Sequence, residues 1–291
     1  MHAEVDQTRV QMGLWSWLVN ALFEGVADWG QLAMDAVVSI GQLALFSWNA
    51  LSWLLTRLPQ RGTLMWNFFQ IGVRSMPVVA LTGTFIGMVL AVQSYYQFTD
   101  LGLETRLGAV INISLVRELG PVLAATMLAG RVGSAMAAEL GTMRVTEQID
   151  ALTSMGANPV HYLVVPRLLA CVVLIPSLTI MADFMGVVGG MAYSVYVLDI
   201  DQFHYWENSK DFVSSWDLFY GVFKSVFFGG AIALVSCHRG FTCGVGAEGV
   251  GRAATAAFVI SFVLILILDL TVGIALDTIH DFLWPEGTRL F

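Results

Sequence analysis

The sequence predicts an all-α integral membrane protein, and three of its features lead to that prediction. Hydrophobic residues make up 57% of the 291 residues and charged residues only 12%, which is more apolar than a soluble core with a wetted surface allows. Several apolar stretches approach the roughly 20 residues that a helix needs to cross a bilayer. The alternating pattern of membrane barrel strands is missing. Helices therefore form the membrane-crossing part.

Residues 1–60 are predicted to be an amino-terminal tail with one or two amphipathic helices that lie in the membrane interface. The stretch 11–56 interleaves polar residues with tryptophans, which prefer the headgroup level. These tryptophans are Trp15, Trp17, Trp29, Trp48 and Trp53. The part from 36 to 55 is also apolar enough to be a span, which is the alternative. The first ten residues are acidic and polar, so no signal peptide is expected.

Residues 61–291 are predicted to form a domain of five membrane helices. The sequence Leu58-Pro59-Gln60-Arg61-Gly62 ends the preceding helix. Apolar periods then resume at about 64–98, 105–144, 158–198, 215–237 and 253–283. Several of these are longer than a bilayer requires, which indicates tilt or extension past the interface.

The distribution of Lys and Arg predicts an inside amino terminus and an outside carboxyl terminus. The segments assigned to the inner side contain Arg57, Arg61, Arg144, Arg239 and Arg252. Those assigned to the outer side contain Arg106, Lys210 and Arg289. The acid-rich segments 199–217 and 277–291 then face outward.

Small residues recur every fourth position in three of the predicted helices. The three stripes are Gly83, Gly87, Ala91; Gly133, Ala137, Gly141; and Ala182, Gly186, Gly190, Ser194. In lipid, such stripes allow helices to approach closely. Packing within one subunit is at least as good an interpretation of any single stripe as a dimer interface.

Arg117 and Glu118 are predicted to lie about 20 Å from the outer end of the second span, at about 1.5 Å per residue. A charge at that depth is costly unless it faces a cavity or a partner, which makes a functional role the favoured hypothesis. The alternative is a structural ion pair, with Asp183 as a partner at similar depth. Lys224 and Asp269 also lie at matched depths in their spans, and for them a structural ion pair is the favoured hypothesis.

Residues 146–155 are predicted to form a short amphipathic helix on the inner side. Thr146 would be its N-cap, Glu147 and Asp150 would lie in its first turn, and Gly156 would end it. Its apolar face comprises Ile149, Leu152 and Met155. Such a helix fits a groove of a partner protein, although it could also lie on the membrane surface.

Several classes of site have no support in the sequence. The two lysines, Lys210 and Lys224, do not lie in a phosphate-binding G-x-x-x-x-G-K-[ST] loop. Cys237, His238 and Cys243 fall short of the usual four zinc ligands, so no metal is expected. No basic patch indicates nucleic acid. No catalytic residues are expected, because four of the five histidines, at 161, 204, 238 and 280, are dispersed along the spans and loops.

Several segments resemble the MlaE/YrbE permeases, the membrane subunits of lipid-transport ABC systems. The segments are FIGMVLAVQ at 85–93, RELGPV at 117–122, AGRVGSAMAAELGTMRVTEQIDAL at 129–152, YLVVPR at 162–167 and KSVFFG at 224–229. The resemblance extends over roughly residues 60–283. It implies an interfacial elbow helix before five spans, a permease domain at 61–291 and a bacterial inner-membrane location.

The resemblance also implies a site and partners. It places Arg117 and Glu118 beside a central lipid cavity in a homodimer, with Phe85, Met88, Val89 and Leu90 on the facing wall. The segment with Glu147, Ile149, Asp150, Leu152 and Met155 becomes a coupling helix for a separate ABC ATPase, which binds ATP and Mg. An MCE-domain protein on the outer side and, in some systems, a STAS-domain protein complete the assembly.

The sequence thus predicts the permease subunit of an ABC transporter of phospholipids or similar amphiphiles. The main alternative is an ion-coupled secondary transporter that uses Asp183, Asp269 or Glu118 as the coupling site. A membrane enzyme acting on lipids ranks lowest, since no group of His, Asp or Glu residues converges at one interface.

Overall fold

A computed structural model describes residues 30–31, 34–35, 37–56, 61–100 and 106–283. The chain divides into two compact units, residues 1–48 and residues 49–291. The described part of the first unit is helical. The predictions for the tail, for Trp15, Trp17 and Trp29 and for the helix break at 58–60 lie outside the described residues.

Every regular element in the described residues is a helix. We number them α1 (Val37–Thr56), α2 (Gly62–Thr99), α3 (Leu107–Val145), α4 (Gln148–Ser154), α5 (Val160–Tyr196), α6 (Gln202–Phe212), α7 (Ser215–Phe241) and α8 (Gly246–Leu283). Six of them, all but the short α4 and α6, are long and apolar enough to cross a membrane.

The all-α membrane fold is confirmed, and the five predicted spans correspond to α2, α3, α5, α7 and α8. The last of these begins at Gly246 rather than near 253. α1 also qualifies as a span by length and composition, so the interfacial helix predicted for this part of the chain remains a prediction.

Two of the small-residue stripes pack against each other within the subunit. A Cβ atom added to Gly83 would contact the backbone of Ala182 at 2.5 Å, and one added to Gly87 would overlap the carbonyl oxygen of Gly186. Close backbone approach is how helices gain dispersion contacts in lipid. The seam therefore joins α2 to α5 and requires glycine at Gly87.

The third stripe joins α3 to α7 in the same way. A Cβ atom added to Gly133 would lie 2.8 Å from Ser236 Oγ, and one added to Gly240 of α7 would lie 2.6 Å from the Cβ atom of Leu140. α7 packs against α3, α5 and α8, which places it at the centre of the bundle and makes its polar residues dependent on partners from the other helices.

Four π-helical turns widen the long helices: Phe69–Val73 in α2, Leu115–Leu119 and Ala129–Gly133 in α3, and Val160–Val164 at the start of α5. Such turns often mark functional sites. Pro121 follows the second of them, and it has no backbone N–H to donate to the preceding turn. The Arg117-Glu118 pair lies within that wider turn.

The prediction that Thr146 is an N-cap is wrong. Its hydroxyl donates a hydrogen bond 2.9 Å back to the carbonyl oxygen of Thr142, which adds Thr146 to the end of α3. α4 begins at Gln148, and the preceding residue, Glu147, has a left-handed backbone with φ of 58°. The chain thus turns sharply between α3 and α4, and α4 is about two turns long.

α6 is held against the first turns of α3. Asn112 Nδ2 donates to Ser209 Oγ at 2.9 Å, and Tyr205 is fully buried beside them. Asp201 caps α6 by accepting a hydrogen bond from the backbone N–H of Phe203. α6 and α4 therefore lie at opposite ends of the bundle, and we refer to these as the α6 end and the α4 end.

Candidate functional site

Lys224 is the centre of a charged network toward the α6 end. Its side chain is fully buried, and Nζ lies 2.5 Å from Asp269 Oδ1 on α8 and 2.7 Å from Glu118 Oε2 on α3. The predicted partners Lys224 and Asp269 are therefore in contact. Glu118 is a second partner that sequence reasoning did not assign to Lys224.

Arg117 extends the network to two further carboxylates. Its guanidinium contacts Asp277 on α8, and Nη1 lies 3.7 Å from Asp217 Oδ1 on α7. The ring of Tyr220 lies between the two cations, with its centroid 4.5 Å from Arg117 Cζ and 4.8 Å from Lys224 Nζ. Cation–π contact of this kind adds to the ion pairs. The network thus links α3, α7 and α8.

Asp183 is not the partner of Arg117 that the structural alternative suggested. It is 5% exposed and lies beside Gly120, where a Cβ atom would collide with its carboxylate. Its Oδ1 accepts no hydrogen bond from any described residue. Asp183 is thus a separate, buried carboxyl group.

Arg117 lies closer to the membrane boundary than expected. Arg117 is about 15 Å from the start of α3 and Lys224 about 14 Å from the start of α7, at about 1.5 Å per residue. α3 has 39 residues and is about 58 Å long, while the hydrocarbon core is about 30 Å thick. If the excess is shared equally between both ends, Arg117 lies near the edge of the hydrocarbon and not at mid-membrane.

Part of the charged network is exposed at the surface of the subunit. The side chain of Glu118 is 46% exposed, that of Arg117 33% and that of Asp277 50%. Lys224, by contrast, is sealed. The exposed groups offer both signs of charge at one surface, which suits a polar group that carries both a cation and an anion.

The four residues predicted for the lipid-facing wall fall into two groups. Phe85 is 55% and Val89 is 59% exposed, on the face of α2 opposite its glycine seam. Met88 is half-buried, and Leu90 packs against the core cluster that includes Ala91. Phe85 and Val89 thus face away from their own subunit, whereas Met88 and Leu90 lie closer to its core.

Asp217, Asp277 and Tyr220 are functional candidates that sequence reasoning missed. The sequence placed Asp277 in an acid-rich tail, although it lies eight positions after Asp269, about two turns later and about 80° around α8. That spacing was the available signal for Asp277. Tyr220 lies four positions before Lys224, which gave a similar signal.

The predicted coupling residues differ in accessibility. Ile149 is 4% exposed and anchors α4 to its own chain. Leu152 is half-buried, whereas Met155 is 74% exposed and Glu147 is also exposed. Asp150 Oδ1 lies 2.6 Å from Arg144 Nη1, an exposed ion pair that ties α4 to the end of α3. Of the predicted apolar face, Leu152 and Met155 are open to a partner.

Comparison with known proteins gives consistent matches over most of the chain. The family model described as Permease MlaE matches residues 64–275. A probable ABC transporter permease protein of Rickettsia felis is 42% identical over 238 residues, which cover 82% of this chain and 92% of that protein. The chloroplastic protein TRIGALACTOSYLDIACYLGLYCEROL 1 of Arabidopsis thaliana is 40% identical over 209 residues, or 72% of this chain and 59% of that one.

The intermembrane phospholipid transport system permease protein MlaE of Haemophilus influenzae is 38% identical over 200 residues, which cover 68% of this chain and 77% of that protein. The matched region of the family model contains α3, α4, α5, α6 and α7 in full and most of α2 and α8. It includes α4 and every residue of the charged network except Asp277.

Proposed function

Because this chain belongs to the MlaE permease family, we propose that it is the permease subunit of an ABC system that moves phospholipids or similar amphiphiles between membranes. Two copies form a homodimer in the bacterial inner membrane. A separate ATPase binds ATP and Mg and supplies the energy. An MCE-domain protein on the outer side, and in some systems a STAS-domain protein, belong to the same assembly.

The half-open charged network is the observation that carries this proposal. Glu118, Arg117 and Asp277 present a surface of both charge signs near the edge of the hydrocarbon, where polar groups are tolerated when they face a cavity or a ligand. The polar headgroup of a phospholipid lies at this depth of the membrane, at the edge of the hydrocarbon. We assign the headgroup to Arg117 and Glu118.

The wall of α2 supports a dimer. Phe85 and Val89 project away from the α2–α5 seam, so in one subunit they meet lipid. In a homodimer the same face lines a cavity into which acyl chains extend, with Met88 and Leu90 behind it. The H. influenzae relative is a permease of an intermembrane phospholipid transport system, which supports a phospholipid as the substrate.

α4 is proposed as the coupling helix. Its half-buried Leu152 and exposed Met155 form the contact with the ATPase, and Glu147 and Asp150 lie at the rim. Arg144 and Ile149 fix α4 to the chain, so a push on α4 is transmitted to α3, which carries Arg117. This assignment places the α4 end inside the cell, the α6 end outside, the amino terminus inside and the carboxyl terminus outside.

An ion-coupled secondary transporter is the second candidate, and Asp183 is the observation that favours it. Glu118 and Asp269 already contact Lys224, while Asp183 is buried with an oxygen that accepts no hydrogen bond from the described residues. Transport that continues without the ATPase and stops when the ion gradient is collapsed would support this candidate over the ABC mechanism.

Native mass spectrometry of the complex purified through a tag on this chain tests the proposal. The expected mass is that of two copies of the chain with ATPase subunits and at least one phospholipid. A single copy that carries neither ATPase nor phospholipid would contradict it.

A further inference from the structure

A second charged site lies toward the α4 end, in a cavity of about 470 Å³. The start of α2, the second half of α3 and the start of α5 form its walls. Three arginines line it, Arg74, Arg131 and Arg167, and Glu139 is the one carboxylate that the described residues contribute. The cavity therefore carries an excess of positive charge.

Arg167 is the most constrained of the three arginines. It is 6% exposed; Nη1 donates to the carbonyl oxygen of Leu163 at 2.9 Å, and Nη2 lies 2.9 Å from Glu139 Oε1. Its Nε–H is buried and has no acceptor among the described residues. A buried charged donor without an acceptor is costly and uncommon. An acceptor that the described residues do not supply would therefore stabilise Arg167 in this cavity.

Arg131 and Arg74 have neutral partners. Arg131 donates to the hydroxyl oxygen of Ser75, and Arg74 Nη1 donates to Gln70 Oε1 at 2.9 Å. No described carboxylate lies within ion-pair distance of either guanidinium. Two guanidinium groups without a carboxylate partner among the described residues, together with the buried, unpaired Nε–H of Arg167, suit the binding of an anion.

The depth of the cavity fits the headgroup level of one leaflet. Arg167 is about 10 Å from the start of α5, Arg74 about 18 Å from the start of α2 and Arg131 about 21 Å from the end of α3, at about 1.5 Å per residue. These helices exceed the hydrocarbon core by roughly 13 Å at each end if they are centred. The arginines therefore span the boundary between headgroups and hydrocarbon.

The chemistry of the walls selects an amphiphilic anion. Guanidinium groups bind phosphate in a bidentate manner, and the cavity volume is that of an ordinary small-ligand site. Trp66 lines the cavity and is 59% exposed, and its neighbours on α2, Met65 and Phe69, are 73% and 46% exposed. Tryptophan favours the headgroup level, and the apolar neighbours suit the start of an acyl chain.

We propose that this arginine cavity binds the phosphate of a phospholipid in the leaflet at the α4 end, as a headgroup site separate from Arg117 and Glu118. The inference rests on the proposed function for the class of ligand. It adds a second lipid-binding site to the same subunit. Arg131 and Arg74 hold the phosphate oxygens, and the Nε–H of Arg167 donates to one of them.

The test measures lipid retention by the full-length protein, purified with its co-purifying subunits. Phosphatidylglycerol and diacylglycerol with identical acyl chains are offered in nanodiscs of phosphatidylcholine, and the retained lipid is counted by native mass spectrometry. We expect Arg131→Gln and Arg74→Gln to weaken retention of phosphatidylglycerol by about tenfold each, as loss of a hydrogen bond between charged groups implies. Diacylglycerol should not be retained by any variant.

The matched control is Arg252→Gln. Arg252 lies on α8 at the same end of the bundle, but its side chain is 76% exposed and lies 3.5 Å from Glu248 one turn earlier. Its loss should leave retention unchanged. An equal loss in this control would overturn the inference, because general attraction of a basic end to anionic lipid would then explain the binding.

A photoreactive phosphatidylglycerol tests whether the arginine cavity is occupied by a lipid, a free anion or a protein segment. Cross-links to the peptides around Trp66 and Met136, suppressed by Arg131→Gln, are expected. If excess inorganic phosphate displaces the lipid completely, the site takes a free anion and the lipid assignment is wrong. If another protein segment cross-links there in place of lipid, the inference is also wrong.

This outcome is separable from that of the proposed function. Loss of transport on reversing Arg117, with unchanged retention at the arginine cavity, is expected if both proposals hold. If retention of phosphatidylglycerol depends on Arg117 and not on Arg131, the second lipid-binding site is refuted while the transport proposal stays intact.

Discussion

The two ends of the membrane bundle differ in how many carboxylates the chain places beside its cations. Toward the α6 end, two cations, Arg117 and Lys224, meet four carboxylates, those of Glu118, Asp217, Asp269 and Asp277. Toward the α4 end, three arginines line a cavity with one carboxylate. The cations are neutralised by the chain itself at one end and are left for an external anion at the other.

Both regions include an arginine that lies in a π-helical turn of α3. Arg117 lies in the π-helical turn Leu115–Leu119 and Arg131 in the turn Ala129–Gly133. Each turn adds a residue and so changes which face of α3 the next side chain reaches. The difference between the two ends therefore lies in what the neighbouring helices contribute, and charge removal should have unequal consequences at the two ends.

The largest effect is expected for Lys224→Met. The substitution leaves Glu118 and Asp269 close together without their shared cation, and loss of one partner of a buried ion pair destabilises by about 3 kcal/mol or more. Unfolding in detergent measures this loss. The matched control is Lys210→Met, since Lys210 is exposed on α6, and it should change stability by less than about 0.5 kcal/mol. Equal effects would contradict a buried network.

The double reversal Lys224→Asp with Asp269→Lys should recover only part of that loss. The new aspartate at 224 would face Glu118, which the original lysine contacted at 2.7 Å. Adding Glu118→Gln to the pair should restore a further ~1 kcal/mol, within the range of coupling energies between contacting residues. Full recovery by the double reversal alone would show that Glu118 does not belong to the network.

Arg167→Met should have a smaller effect than Lys224→Met, although both residues are buried cations. The partner left behind, Glu139, is 59% exposed and can be hydrated, so a loss of about 1–2 kcal/mol is expected from the hydrogen bonds alone. The same unfolding assay compares the two variants. If Arg167→Met proved the more damaging, the α4 end would be the self-neutralised one and the comparison would be reversed.

Leu152→Asp should change stability least, by less than about 0.5 kcal/mol, while it removes the ATPase from pull-downs. Leu152 is only half-buried, so its folding role is small, but a carboxylate there would be buried in the proposed contact. The control is Ser154→Asp on the exposed opposite face of α4, which should retain the ATPase. Retention by Leu152→Asp would rule out docking through that side of α4.

Local patterns predicted the spans and part of the charged network. Long apolar stretches place α2, α3, α5, α7 and α8, because in lipid the backbone polar groups must be satisfied within the segment and about 20 residues of helix are needed to cross. Matched depth likewise singled out Lys224 and Asp269. These inferences need only the position of a residue along its own helix.

The rest depends on how the helices are rotated and paired. Arg117 and Asp277 are 160 positions apart, and no local pattern shows that α3 and α8 turn these side chains toward each other. The arginine cavity combines residues of three helices for the same reason. Thr146 was misassigned because a threonine can cap the next helix or bond back to the previous one, and the sequence does not distinguish the two.

The most direct test of the account is ATP-dependent transfer of a labelled phospholipid from proteoliposomes that contain the whole complex. The comparison is between the wild type, Arg117→Glu and Arg252→Glu, with dimer assembly verified for each. The account predicts transfer by the wild type and by Arg252→Glu, and none by an assembled Arg117→Glu dimer. Transfer at the wild-type rate by Arg117→Glu would contradict the assignment of the headgroup to the network around Arg117.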